Sequence, residues 1–289
     1  MTTHPQQYRR FSDRRRTTSV AESALGVIMG AMASLPELIA DAIAHPISGW
    51  DFSWVAGRMR STAPPWSYDR MVALAATRSP DLLDLGTGGG EWLAQLRSRP
   101  PRTVAVEGLA PNVSVARARL EPLGIEVLPY QGPSDNMTQT AHEPQLPFPD
   151  ASFALIVNRH ESFVAAEVHR VLKPGGLFIT QQVGSYDSVR ALLGAPAAGP
   201  AASWSVAEAR RQLQAAGLTI EAARAVRIQT KVDDVGALVW YLRAVPWEIP
   251  DFTVERYLDR LQELHQRCAT GPLSFSEERF IVQARKPQP

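Results

Sequence analysis

The sequence is short of cysteine, of net charge and of long apolar runs. Cys268 is the one cysteine in 289 residues. A lone thiol builds no internal disulfide framework and no cysteine metal knuckle, and it suits a reducing compartment, so a cytoplasmic location and no metal are expected. Formal net charge is +1. No global basic field draws in a polyanion, so a nucleic-acid partner is not expected. No apolar run is long enough to span a bilayer, so no membrane partner is expected either. Apolar residues make up 45% and charged residues 20%, the balance of an ordinary globular chain with one large domain, or one domain and a cap.

What is present centres on Asp81-Leu82-Leu83-Asp84-Leu85-Gly86-Thr87-Gly88-Gly89-Gly90-Glu91. Apolar positions run into a glycine-rich turn, and Trp92, Leu93 and Leu96 follow at helical spacing. The pattern predicts strand, tight turn and helix, the opening of a nucleotide-binding α/β domain. Gly86, Gly88 and Gly90 allow positive φ and close approach of a ligand to the backbone. A dinucleotide fingerprint carries a third glycine or alanine where this chain has Glu91. A carboxylate there repels pyrophosphate, and Asp84 is a second acid expected to face the same cavity. Both suit an ammonium or ribose hydroxyls. Thr103–Val106 reads as the next strand, ending in Glu107, which is placed to accept both hydroxyls of a ribose.

These residues bring a resemblance with them. Asp84-x-Gly-x-Gly-x-Gly with Glu107 resembles the first two motifs of class I S-adenosylmethionine-dependent methyltransferases. Leu146-Pro147-Phe148-Pro149-Asp150-Ala151-Ser152-Phe153 and Glu167-Val168-His169-Arg170-Val171-Leu172-Lys173-Pro174-Gly175-Gly176 resemble that family's lead-in to the fourth strand and its turn before the fifth. The likeness is close over about residues 46–185 and loose beyond. It implies S-adenosyl-L-methionine as cofactor. It also implies a Rossmann-like, seven-stranded, mostly parallel sheet with helices on both faces and an antiparallel edge strand, to which this chain's own insertion is expected to add a helical cap. Asp84, Gly86, Thr87, Gly88, Gly90, Glu107, Gly108, Leu109 and Asn158 are the implied cofactor contacts, Leu109 against the adenine face. Asp135 or Asn136 is the implied partner of the adenine amino group, with plain turn residues as the other reading.

Phe153–Val157 is a continuous apolar run, as in a central parallel strand. It ends in Asn158-Arg159-His160-Glu161, at the mouth where α/β sheets hold ligands. His160 is the candidate general base, because its ordinary pKa lies near neutrality. Arg159, Glu161 and Gln182 are expected near the acceptor. Asp69 is expected to cap a helix over Arg70–Thr77. Residues 218–229 read as the sixth strand. Phe280–Ala284 reads as the seventh, antiparallel at the sheet edge. About 50 residues lie between them, more than a hairpin needs. Val235, Leu238, Val239, Leu242 and Val245 mark one helix there; Tyr257, Leu261 and Leu264 mark another. With Trp54 and Trp66 before the glycine turn, Trp240 and Tyr241 of this insertion are read as the wall of an apolar acceptor pocket; a homodimer interface is the alternative.

The first 45 residues differ from the rest. Arg9, Arg10, Arg14, Arg15 and Arg16 precede an apolar run over Ala24–Leu35. That layout reads as a basic arm followed by a packed helix, as an export signal, or as an upstream extension of a chain starting at Met29 or Met32. Residues 46–185 are taken as the cofactor core, and 186–289 as the rest of the sheet, with the cap insertion at about 231–270. The function expected is methyl transfer to a small organic acceptor (O-, N- or C-methylation). The alternatives are a non-catalytic or repurposed S-adenosylmethionine binder and an RNA or protein methyltransferase.

Overall fold

The computed structural model describes residues 33–47, 51–137, 145–184, 187–196 and 204–289. The basic arm, most of the apolar run after it, and Trp50 lie outside the described residues. In chain order the elements are α1 (Leu35–Ala44), β1 (Met59–Ser61), α2 (Tyr68–Ala76), β2 (Asp81–Leu85), α3 (Glu91–Gln95), β3 (Arg102–Glu107), α4 (Ala110–Leu120) and β4 (Glu126–Pro129). There follow β5 (Phe153–Arg159), α5 (Ala165–Val171), β6 (Leu172–Val183), α6 (Asp187–Leu193), α7 (Val206–Ala215), β7 (Thr219–Val232), α8 (Val235–Ala244), α9 (Leu258–Cys268) and β8 (Leu273–Arg285).

One eight-stranded sheet runs in the order β1-β7-β8-β6-β5-β2-β3-β4. Strands β4, β3, β2, β5 and β6 are mutually parallel. Their apolar runs have side chains to bury on both faces; Leu82, Leu83, Leu155, Ile156 and Val157 are wholly inaccessible. β8 is antiparallel to both β6 and β7. This corrects the sequence expectation in two respects. The strand holding Phe280–Ala284 is interior, and the antiparallel edge strand is β1, an eighth strand. The reason is burial: Phe280, Ile281, Val282 and Ala284 are all covered, as an edge strand's residues would not be.

Sequence order and helix ends follow local chemistry. Pro111 stands in the first turn of α4, where a missing N–H is harmless. Ser205 Oγ accepts from Glu208 N at the start of α7. The cap of α2 is Ser67, which accepts from Arg70 N at 3.2 Å. Asp69 is not the cap; it accepts instead from Trp92 Nε1 at 2.6 Å. The Ser67 hydroxyl reaches the amide three residues on because Ser67 is extended while Asp69 is already helical.

β7 and β8 extend past the rest of the sheet, pairing from Thr219↔Arg285 to Val232↔Leu273. Against their far end sits a second core built from α1, α8, α9 and the segment around Phe52 and Val55. Every residue of α8 from Val235 to Leu242 is buried, so this helix is the centre of the cap, not its surface. Asp234 fixes its start: Oδ1 accepts from Ala237 N at 2.9 Å, and the carboxylate takes a fork from Arg58 at 2.8 and 2.6 Å. Asp234→Ala should therefore cost about 1–3 kcal/mol, a lost cap plus an orphaned guanidinium, read as a lower urea midpoint at unchanged slope. No helix among the described residues is long and apolar enough to cross a membrane.

Candidate functional site

The turn after β2 is built as its glycines suggest. Gly86, Gly88 and Gly90 have φ of 74°, 62° and 79°, a region that side-chain-bearing residues seldom enter. A Cβ on Gly86 would lie 2.3 Å from Glu161 Cγ, and one on Gly90 would lie 2.7 Å from Leu120 Cγ. Four of the turn amides are already engaged. Gly86 N and Thr87 N both donate to Val106 O, Gly90 N donates to Thr87 O, and Gly88 N donates to Glu107 Oε2 at 2.7 Å. Leu109 N donates to the other Glu107 oxygen at 3.0 Å. A pyrophosphate needs free amides pointing at it, and these four point elsewhere.

Acids gather around this turn. Asp84 and Glu107 are buried. Burial pushes the Asp84 carboxyl up to about 7; Thr87 and Arg159 oppose that and Glu107 adds to it. Glu161 also rises to about 7, through burial first and then the neighbouring Glu107 charge. A positively charged ligand would draw both back down and gain binding energy by doing so. Glu91, in contrast, does not face the cavity as expected. Its Oε1 pairs with Arg119 Nη1 at 2.6 Å on the outside of α3. The longer reach of a glutamate from a helix start takes it across to α4.

A narrow pocket opens beside the turn, lined by Gly86, Val106, Gly108, Tyr130, Glu161 and Phe163 among others. Leu109, next in the chain after the lining residue Gly108, has 58% of its surface exposed. Of the two residues named for the adenine amino group, Asn136 is buried and accepts from Phe163 N at 3.0 Å. Asp135 accepts from Met137 N at 2.6 Å. Asn158 faces inward. Its Oδ1 accepts from Thr180 Oγ1 (2.8 Å) and Gln182 Nε2 (2.5 Å). Gln182 Nε2 also donates to Glu161 O, and its Oε1 accepts from Trp204 Nε1. Asn158 and Gln182 thus tie the ends of β5 and β6 together.

The structure separates the aromatic residues. Trp66 reaches the site, donating from Nε1 to Gln181 Oε1 at 2.9 Å. Trp54, Trp240 and Tyr241 belong to the cap's own core. Trp54 stacks on His45 at 4.9 Å and approaches Trp240 at 5.7 Å. Their spacing on the sequence could not show that α8 is covered on every side.

His160 is held by a chain of bonds whose directions are fixed. Indole N–H only donates, so Gln181 Oε1 faces Trp66 and Gln181 Nε2 faces His160, at 3.2 Å from Nε2. Arg279 Nη1, another pure donor, approaches the same His160 nitrogen at 3.1 Å. His160 Nε2 is therefore the acceptor, and the ring proton is on Nδ1. The ring pKa lies well below its ordinary value, through crowding by the chain and then through Arg279 and Arg159. Solvent still reaches His160, which tempers the first cause; the two guanidiniums act in the same sense regardless. A general base needs a free lone pair, and this one is taken. Sequence reading missed Gln181 as the orienting group and Arg279 altogether. Arg279 becomes visible only once β8 is known to lie beside β6, where it pairs with Val183.

The family model described as a methyltransferase domain matches residues 83–180. Over residues 83–180, about a third of the chain, the sequence is thus similar to a methyltransferase domain. The match begins inside β2 and ends inside β6, so it takes in the glycine turn, Glu107 and the β5 terminus. Among solved structures, a provisionally named methyltransferase of Bacillus halodurans C-125 superposes with a TM-score of 0.54 at 19% identity, covering 77% of this chain and 100% of its own. The YcgJ protein of Bacillus subtilis gives 0.49 at 20% identity, covering 76% and 98%. No curated protein sequence matches the chain. The likeness at a TM-score of 0.54 shows a shared fold over about three quarters of the chain.

Proposed function

We propose that the chain transfers the methyl group of S-adenosyl-L-methionine to a small organic acceptor by in-line displacement. One observation carries the choice of donor. Acids converge on a glycine turn four of whose amides are engaged within the chain, which fits a ligand with an ammonium, a sulfonium and a ribose better than a pyrophosphate. S-adenosyl-L-methionine supplies a methyl group already activated on its sulfonium.

The chain's own residues bind and align. Glu107, fixed by two backbone amides, accepts the ribose hydroxyls. Asp84 and Glu161 face the cationic end, and Gly86 lets that end approach the backbone. Leu109 covers one face of the adenine. The buried network of Asn158, Thr180 and Gln182 holds the ends of β5 and β6 rigid, so that acceptor and methyl group meet in line. Trp66, Arg159 and His160 line the acceptor side, where His160 acts as a neutral, oriented imidazole.

Calorimetry tests the donor. S-adenosylhomocysteine should titrate into one saturable site, and NADH should give no heat of binding. Tight NADH binding with no response to S-adenosylhomocysteine would overturn the reading.

A further inference from the structure

The side chain that lies over the first glycine of the turn is Glu161. A Cβ on Gly86 would lie 2.4 Å from Glu161 Cβ, 2.3 Å from its Cγ and 2.9 Å from its Oε2. The open face of that glycine is therefore covered by a carboxylate. Gly86, Gly108 and Glu161 line one pocket. The backbone that aims Glu161 is pinned at three points. His160 N donates to Gln181 O at 2.8 Å, Gln182 Nε2 donates to Glu161 O at 3.0 Å, and Phe163 N donates to Asn136 Oδ1 at 3.0 Å. His160 takes φ of 65° although it is not glycine. Strain of that kind persists only where the surroundings over-determine it, and here the next residue is the one set against Gly86. Burial and the Glu107 charge oppose ionisation of Glu161, and the Ser162 amide favours it; no cation is among these influences.

In the proposed complex Glu107 takes the ribose, and the amino-acid end approaches Gly86. Sulfur joins those two parts of the cofactor, so it falls in the interval between them. Glu161 spans that interval, touching Gly86 and feeling the Glu107 charge. We propose that Glu161 is the residue that tells S-adenosyl-L-methionine from S-adenosylhomocysteine, its carboxylate set against the sulfonium so that the charged sulfur of the substrate is held and the uncharged sulfur of the product is not. This rests on the methyl-transfer reading and deepens it. In the transfer the C–S bond breaks with its electron pair left on sulfur, while a lone pair of the acceptor forms the new bond to the methyl carbon. The sulfonium becomes a neutral thioether, and the positive charge leaves on the methylated acceptor or as a proton to solvent. Opposite charges in contact near a protein surface attract by several times thermal energy. Losing that attraction at the moment of transfer favours release of the product.

The test is calorimetry on the full chain with S-adenosyl-L-methionine, S-adenosylhomocysteine and sinefungin, which carries an amine in place of the sulfonium. At pH 8 both ligands charged at that atom should bind about tenfold or more tighter than S-adenosylhomocysteine, the scale of one charge-assisted contact. Glu161→Gln keeps the shape without the charge and should bring the ratio to within about threefold of one, with circular dichroism as the fold control. The parent supplies a second arm. The Glu161 carboxyl is pushed up to about 7, so the ratio should be about tenfold smaller at pH 6 than at pH 8.5. The other groups around the pocket do not produce that trend. Asp84 at the end of β2 titrates in the same range, but it answers to the ammonium that all three ligands share, which cancels from the ratio. Glu107 of β3 faces the ribose, also common to all three. Glu167 of α5 is paired with Arg170, Gln182 of β6 is uncharged, and the phenol of Tyr130 is neutral in this range. On its own strand end, Arg159 keeps its charge and His160 stays neutral. A ratio unchanged by Glu161→Gln, a ratio flat from pH 6 to pH 8.5 in the parent, or equal binding of the three ligands at pH 8 would each overturn the proposal. If Glu161→Gln does not fold, the pH series decides alone. Failure of the parent to bind any of the three would instead overturn the reading of function beneath it.

Discussion

Glu107→Ala should weaken S-adenosylhomocysteine binding by about two to four orders of magnitude, from the loss of two hydrogen bonds to a charged group at about 1.5–3 kcal/mol each. The carboxylate is buried, and its two oxygens are held by Gly88 N and Leu109 N. Those amides set the carboxylate's angle, so in the proposed site the ribose hydroxyls would meet an acceptor that needs no reorganisation. Alanine removes the acceptor and leaves both amides without a partner. A second consequence distinguishes this role from general damage. The Glu107 charge helps to raise both Asp84 and Glu161, so in the variant both carboxyls should titrate lower. Glu107→Gln keeps one acceptor oxygen and should fall between parent and alanine. Calorimetry at fixed salt, with circular dichroism as the fold control, reads the effect. Affinity within threefold of the parent in a folded Glu107→Ala protein would remove Glu107 from the site.

The second large effect concerns stability. Glu248 is 2% exposed, in the segment after α8. Burial pushes its carboxyl up to about 8; the Tyr241 hydroxyl and Arg279 oppose this, and Glu277 adds to it. Its Oε2 has no partner among the described residues. The folded chain thus keeps a proton that the unfolded chain releases near its ordinary carboxylate pKa. Folding takes up that proton between the two values, so stability is whole at low pH and declines as pH rises toward 8. The decline is about 1.4 kcal/mol per pH unit for one group, or roughly 3–4 kcal/mol from pH 5 to pH 8. Glu248→Gln keeps the shape without the proton. It should match the parent at pH 5 and exceed it by a few kcal/mol at pH 8, as urea midpoints at the two pH values will show. A parent whose stability is flat over that range, or a variant no more stable at pH 8, would contradict this. Asp84 and Glu161, both at about 7, add to the same slope in the ligand-free protein. Saturating S-adenosylhomocysteine should flatten their share, because its ammonium favours the ionised carboxylates.

Much of this molecule was written in short-range patterns. Glycines at 86, 88 and 90 require positive φ whatever the tertiary context, and all three adopt it. The apolar run at Phe153–Val157 had to be a strand buried on two faces, and Asp84 and Glu107 had to stand at or next to the ends of their strands. Those features depend on neighbours a few residues away, so the chain itself carried them, along with the α/β class and the helices of the cap.

What the sequence could not reveal depended on partners far along the chain. Glu91 looked like a free acid until α4 brought Arg119 to it. Trp54, Trp240 and Tyr241 had the composition of a pocket wall, yet α1 and the ends of β7 and β8 close over them. His160 had the right pKa for a base in isolation; Gln181 and Arg279, set beside it by strand order, took its lone pair. A residue's type and its turn are local properties, decided by its own backbone and its near neighbours. Which charge pairs with which, and which aromatic ring meets solvent, are decided by sheet order, because only strand pairing puts residues such as His160 and Arg279, 119 positions apart, within a hydrogen bond of each other.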